Sequence, residues 1–178
     1  MINHPPKILI VADTYYPKVD GTLKFIEEFV KRSESEFSLS LLVPDQGQRS
    51  DQKKIISQKN ITYIEPSRWV QLSSYPSIKL SLQNLKRIKS AILDAEIVFI
   101  QGPALLSYLG IYYARRFHKK TIFYVYVLTW ELFAKFLPRI VSRLSLRIFK
   151  RLSIMFYNKC DEIIVPYHEL QEQLKRAG

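Results

Sequence analysis

Ile8 to Ala12 is an unbroken apolar run rich in β-branched residues, which predicts a parallel strand buried on both faces. Asp13 to Gly21 is polar and contains Pro17, so it reads as a loop. Leu23, Phe25, Ile26, Phe29 and Val30 then recur at helical spacing up to Lys31 and Arg32, cations that suit a helix C-terminus. The same alternation continues along the chain. Ser38–Val43 predicts a second strand, residues 44–59 a polar surface loop or weak helix, and Ile61–Ile64 a third strand. Leu80 to Leu93 has helical periodicity, Glu96–Gln101 reads as a strand, Pro103–Phe117 as a helix and Thr121–Val127 as a strand. A helical stretch from about Glu131 to Lys159, a strand over Glu162–Val165 and a helix over Glu169–Arg176 complete the pattern.

Strands that read as runs, alternating with amphipathic helices, specify an α/β fold with a doubly wound, Rossmann-like parallel sheet. In such sheets ligands sit beyond the carboxyl ends of the strands, so the chemistry is expected in the loops that follow them. A chain of 178 residues, 47% hydrophobic and 13% aromatic, can bury the core of one domain, and residues 1–178 are read as one.

Charge changes the picture more than size does. Twenty-seven Lys and Arg against sixteen Asp and Glu give a formal charge of +11, which predicts attraction to an anionic partner. Cys160 is the single cysteine, so an intrachain disulfide and a thiolate metal cluster are excluded, and a cytoplasmic setting is expected. The first residues lack the pattern of a secretion signal, and Arg139, Arg143, Arg147 and Lys150 interrupt the most apolar region too often for a membrane span. His4, His118 and His168 pair with no metal-ligand partner in sequence.

Among the loops, Gly21 stands at the mouth of the first helix. Unpaired N–H groups and the helix dipole there favour phosphate; equally, Gly21 could be turn chemistry with Asp20 as the helix cap. The loop is not GxGxxG, which disfavours a nicotinamide or flavin dinucleotide.

The opening Lys7 to Gly21, with its Asp13, Tyr16-Pro17 pair and Asp20-Gly21, resembles the start of family 4 retaining glycosyltransferases. Gln101-Gly102-Pro103, Trp130-Glu131-Leu132 and Asp161 to Pro166 followed by Leu170, Leu174 and Gly178 match the same family in order. The resemblance covers nearly the whole chain. It implies the N-terminal, acceptor-side half of a GT-B architecture, with a donor-binding C-terminal domain absent from this chain. It also implies a nucleotide-diphosphate sugar as donor substrate, no cofactor, no metal (no Asp-x-Asp occurs), and transfer with retention to a lipid-linked or polysaccharide acceptor. Asp13, Asp20, Gly21, Thr22, Gln101 and Gly102, with His168 as the one histidine near the predicted crevice, are the candidate positions for substrate and donor phosphate. The nucleotide sugar would be held mainly by the second domain, so the isolated half is expected to be inactive.

Two departures matter. Tyr126 stands where relatives carry a histidine, and a phenol hydrogen-bonds without titrating near neutral pH. The family's Glu-x7-Glu motif belongs to the second domain; Glu28 and Glu36 have its spacing by chance. A non-catalytic scaffold or membrane-anchoring subunit that recruits a catalytic partner is therefore the competing reading.

Arg139, Arg143, Arg147, Lys150 and Arg151 gather within about 120° of a helix surface, with apolar residues filling most of the rest. That pattern fits an interfacial helix on anionic lipid and equally a core helix with a solvated charged face. Peripheral attachment to the cytoplasmic membrane face is the expectation. No nucleic-acid-binding signature accompanies the charge, so nucleic acid is not an expected partner.

Overall fold

The computed structural model describes residues 4–47, 55–72, 75–136 and 143–178. Six parallel strands form the central sheet: β1 (Lys7–Ala12), β2 (Ser38–Pro44), β3 (Ile61–Ile64), β6 (Ile97–Gln101), β7 (Lys120–Tyr124) and β8 (Glu162–Ile164). Between β3 and β6 the chain makes a separate antiparallel pair, β4 (Pro66–Leu72) and β5 (Tyr75–Ile78). The helices are α1 (Gly21–Ser33), α2 (Leu82–Asp94), α3 (Leu105–Arg116), α4 (Thr129–Phe136), α5 (Arg143–Tyr157) and α6 (His168–Ala177).

The sheet order is β3-β2-β1-β6-β7-β8, so the chain runs outward from β1 in one direction, then returns to β1's other side and runs outward again. This is the doubly wound arrangement expected from the sequence, with its switch point between β1 and β6. Those two strands pair in register from Ile8↔Ile97 to Ala12↔Gln101, which brings Asp13 and Gly102 side by side just beyond the ladder.

The period of two along β1 explains why its apolar run is continuous. Ile8, Ile10 and Ala12 point into one core with Leu23, Ile26 and Val30 of α1; Leu9 and Val11 point into the other with Ile88 and Ile92 of α2 and Leu106 and Ile111 of α3. Both faces of the strand are therefore covered. The helix α1 is anchored by Asp20, whose carboxylate accepts from Leu23 N at 3.0 Å, and closed by Lys31 and Arg32 in its last turn.

One sequence expectation is corrected here. The strand predicted to reach Val127 stops at Tyr124, because β8 supplies partners only as far as Ile164, whose carbonyl takes a last bond from Val125 N at 2.9 Å. Of the helical stretch predicted from Glu131 to Lys159, the structure describes α4 to Phe136 and α5 from Arg143 to Tyr157, and residues 137–142 lie outside the described set. The β4–β5 pair was not anticipated, since its residues lack a strand's alternation.

Candidate functional site

The switch point collects polar residues at the carboxyl ends of β1 and β6. Asp13 is 1% exposed, and its Oδ2 accepts from Ala104 N and from Ser107 Oγ, each at 2.7 Å. Ala104 is the N-cap position of α3 and makes no side-chain cap of its own, so a carboxyl from β1 caps α3 across the sheet. Asp13 N also donates to Gln101 O at 3.4 Å, closing the two strand ends together.

Burial raises the Asp13 carboxyl to about 6, with the hydrogen bonds from Ser107 and Ala104 pulling the other way. Its second oxygen, Oδ1, has no hydrogen-bond partner among the described residues, and the same holds for Thr14 Oγ1 and Gln101 Oε1. Three buried oxygens able to accept hydrogen bonds, on residues at the carboxyl ends of β1 and β6, are thus unpaired, which is costly for a fold alone. Gln101 spends its other atom on Thr22 O at 3.5 Å, tying the end of β6 to the start of α1.

Gly102 is the position where backbone freedom is required. Its φ is +133°, and an added Cβ would lie 2.8 Å from Asp13 Cγ and 2.9 Å from Asp13 Cβ. Gly21, by contrast, has nothing within 4 Å of such a Cβ: the space over the N-terminus of α1 is open. The cap reading of Asp20 holds, and Lys18 Nζ lies 3.4 Å from its other oxygen.

Of the sequence-predicted positions, Asp13, Asp20, Gly21, Thr22, Gln101 and Gly102 therefore converge. Tyr126 follows β7, the next strand along, half-buried with its ring 6.2 Å from that of Tyr124. His168 opens α6 after β8, a strand three spacings or about 14 Å from β1, and is exposed; among the described residues no contact links it to the group. Sequence reading missed Thr14 and Ser107, although Thr14 follows Asp13 directly and polar residues ending an apolar strand were a usable signal.

A hydroxyl network adjoins this corner. Tyr108 and Ser153 oxygens are 3.0 Å apart, and Thr129 Oγ1 and Tyr157 Oη are 2.6 Å apart, linking α3, α4 and α5 in the interior. The single thiol plays no visible part: burial, with Asp161 nearby, pushes Cys160 up to about 12. Among the described residues no group of His, Cys, Asp and Glu could hold a metal ion.

The basic helix is half-solved by packing. Along α5, Phe149, Ser153 and Tyr157 turn inward, while Arg147, Ile148, Arg151, Leu152 and Met155 are exposed. Lys150 leaves the cationic face and lies over the Trp130 ring at 5.4 Å. Arg139 and the Arg143 side chain lie outside the described residues. No helix among the described residues is long and apolar enough to cross a membrane.

A parallel six-stranded sheet in this order, with its polar corner at the switch point, defines a Rossmann-like domain of the GT-B type. The chain belongs to Glycosyltransferase Family 4, whose model matches residues 19–178. A candidate UDP-N-acetylglucosamine 2-epimerase from Listeria monocytogenes shares the fold at TM-score 0.52 and 11% identity, over 97% of this chain and 42% of that one. The chain thus spans less than half the length of that structure. A Vibrio parahaemolyticus protein of unknown function aligns at TM-score 0.47 and 10% identity, over 94% of this chain and 96% of its own. No curated protein matches the sequence.

Proposed function

We propose that this domain is the acceptor-side half of a glycosyltransferase that moves a sugar from a nucleotide-diphosphate donor to a lipid-linked or polysaccharide acceptor, with retention, at the cytoplasmic membrane face. The observation that carries the reading is the switch-point corner, on a chain of this family. Asp13 Oδ1, Thr14 Oγ1 and Gln101 Oε1 are acceptors in want of donors, and a sugar is a dense array of hydroxyl donors. These atoms are buried, so a sugar would reach them through a bridging water or a small opening of the loops beside Gly21 and Gly102. The open N-terminus of α1 suits an anionic group on the same ligand. A donor-binding domain would close the nucleotide side, and the nucleotide sugar would bind weakly to this half alone.

Membrane attachment is supported by the exposed face of α5, where Arg147 and Arg151 run beside Ile148, Leu152 and Met155. Each cation near an anionic surface contributes about 1 kcal/mol. Tyr126 favours a second reading, a non-catalytic anchoring subunit, because a phenol at the family's histidine position can position a ligand but not act as a base near neutrality.

Calorimetry separates the two. The chain, alone and joined to a donor-binding domain, is titrated with UDP- and GDP-sugars. Binding that needs both halves is the expected result; no binding by either form contradicts the enzyme reading and leaves the anchor.

A further inference from the structure

The amino ends of the strands carry a second concavity that shares no residue with the switch point. Arg115, His118, Lys119, Lys120 and Asp161 line a pocket of about 380 Å³, between the end of α3 and the starts of β7 and β8. It is a shallow basin largely open to solvent rather than an enclosed cavity. Three of the five residues carry fixed positive charge.

Some of this charge is already committed. Lys120 Nζ lies 2.8 Å from Glu162 Oε1, and Lys119 Nζ donates to Leu93 O at 2.8 Å. Asp161 accepts from Thr121 N at 2.7 Å and faces Arg115 Nη1 only loosely, at 3.9 Å. The Arg115 side chain is 62% exposed and keeps most of its donors, and the His118 imidazole meets no partner among the described residues.

A helix C-terminus normally repels an anion, but here three of its last carbonyls are taken up by backbone donors. Phe117 N donates to Tyr113 O at 3.0 Å, His118 N to Arg115 O at 3.2 Å, and Lys119 N to Ala114 O at 2.9 Å. His118 occupies the left-handed position of this cap, with φ 53°, where glycine carries no penalty. Backbone economy alone would leave this place without a side chain, yet an imidazole stands there, in the pocket.

We propose that this pocket binds a phosphate-bearing anion, with the Arg115 fork and the His118 imidazole as its direct donors and Lys119 and Lys120 as the surrounding charge. The site is independent of the glycosyl-transfer reading, lying at the opposite ends of the strands. The anion is either a soluble phosphate compound or a lipid headgroup; the recognising chemistry is the same.

The test is a titration of the whole chain with inorganic pyrophosphate, followed by amide and imidazole NMR shifts. Saturable shifts at residues 115–121 are expected, with affinity reduced about tenfold in both Arg115→Gln and His118→Gly. His118→Gly keeps the fold, since glycine suits its backbone, so lost binding there reads on the imidazole. Vesicles of phosphatidylglycerol that displace the pyrophosphate footprint, where phosphatidylcholine does not, identify a headgroup; persistence of the footprint identifies a soluble ligand. Shifts confined to residues 13–22 and 101–104, shifts that never saturate, or unchanged affinity in both variants overturn the proposal.

Discussion

The two ends of the one sheet hold opposite chemistry. At the carboxyl end, Asp13 is buried against the start of α3 with an oxygen unpaired, and Gly102 bends away to leave it room. At the amino end, α3 finishes in Arg115 and Arg116 and a left-handed His118, and the cations stay in solvent. Parallel strands with helical crossovers put helix N-termini at one end and C-termini at the other, so an acid is drawn to the first and bases to the second. The sheet thus sorts charge before any ligand arrives. What differs is commitment: the carboxyl end is desolvated and geometrically fixed, whereas the amino end is exposed and adjustable.

Breaking the fixed end should cost most. Gly102→Val drives a branched side chain into Asp13 from a backbone conformation it disfavours, and about 4 kcal/mol of stability is expected to vanish in urea unfolding. Part of that loss should return when Asp13→Ala is added, since the clash is with Asp13 itself.

Asp13→Asn sharpens the comparison in the other direction. An acid raised to about 6 by burial holds its proton in the folded chain while the unfolded chain releases it near 3.8, so stability is fullest below about pH 4 and falls as pH rises through 6. The difference is worth up to about 3 kcal/mol at pH 8. Asparagine removes the ionisable group, so the variant should be more stable than the parent at pH 8 and lose that slope, as read from unfolding midpoints across pH.

Ser107→Ala deletes one of the two bonds to Asp13 Oδ2 and should cost about 1.5 kcal/mol at neutral pH, with the Asp13 titration moved further upward. The smallest effect belongs to the exposed end. His118→Gly relieves a left-handed backbone and is expected to stabilise the chain by about 1 kcal/mol in thermal unfolding. A loss of stability there would mean that the imidazole packs rather than waits for an anion.

The sheet was legible in the sequence because its strands are buried on both faces, and Ile8–Ala12 or Ile97–Gln101 have few alternatives to a parallel strand. The end of β7 was not legible, since Val125 and Leu128 are buried like strand residues although the ladder has run out of partner. Asp13, Gln101 and Gly102 were singled out by resemblance, but their mutual contacts were not foreseen. Nothing in the spacing from Asp13 to Ser107 announces a hydrogen bond spanning ninety-four positions. Arg115, Arg116, Lys119 and Lys120 were visible as a basic stretch and read as a solvated face; the pocket was not, because Asp161 and Arg115 meet only after the sheet has formed.

The most direct test is sugar transfer itself. The protein joined to a donor-binding domain is given labelled UDP- and GDP-sugars and a lipid extract as acceptor, and labelled lipid is counted for the parent and for Asp13→Asn. The account expects product from the parent and at least about a tenfold loss in a variant that is folded and more stable, as one lost charged hydrogen bond implies. Equal transfer by both, or none from a folded parent with any donor, would contradict it.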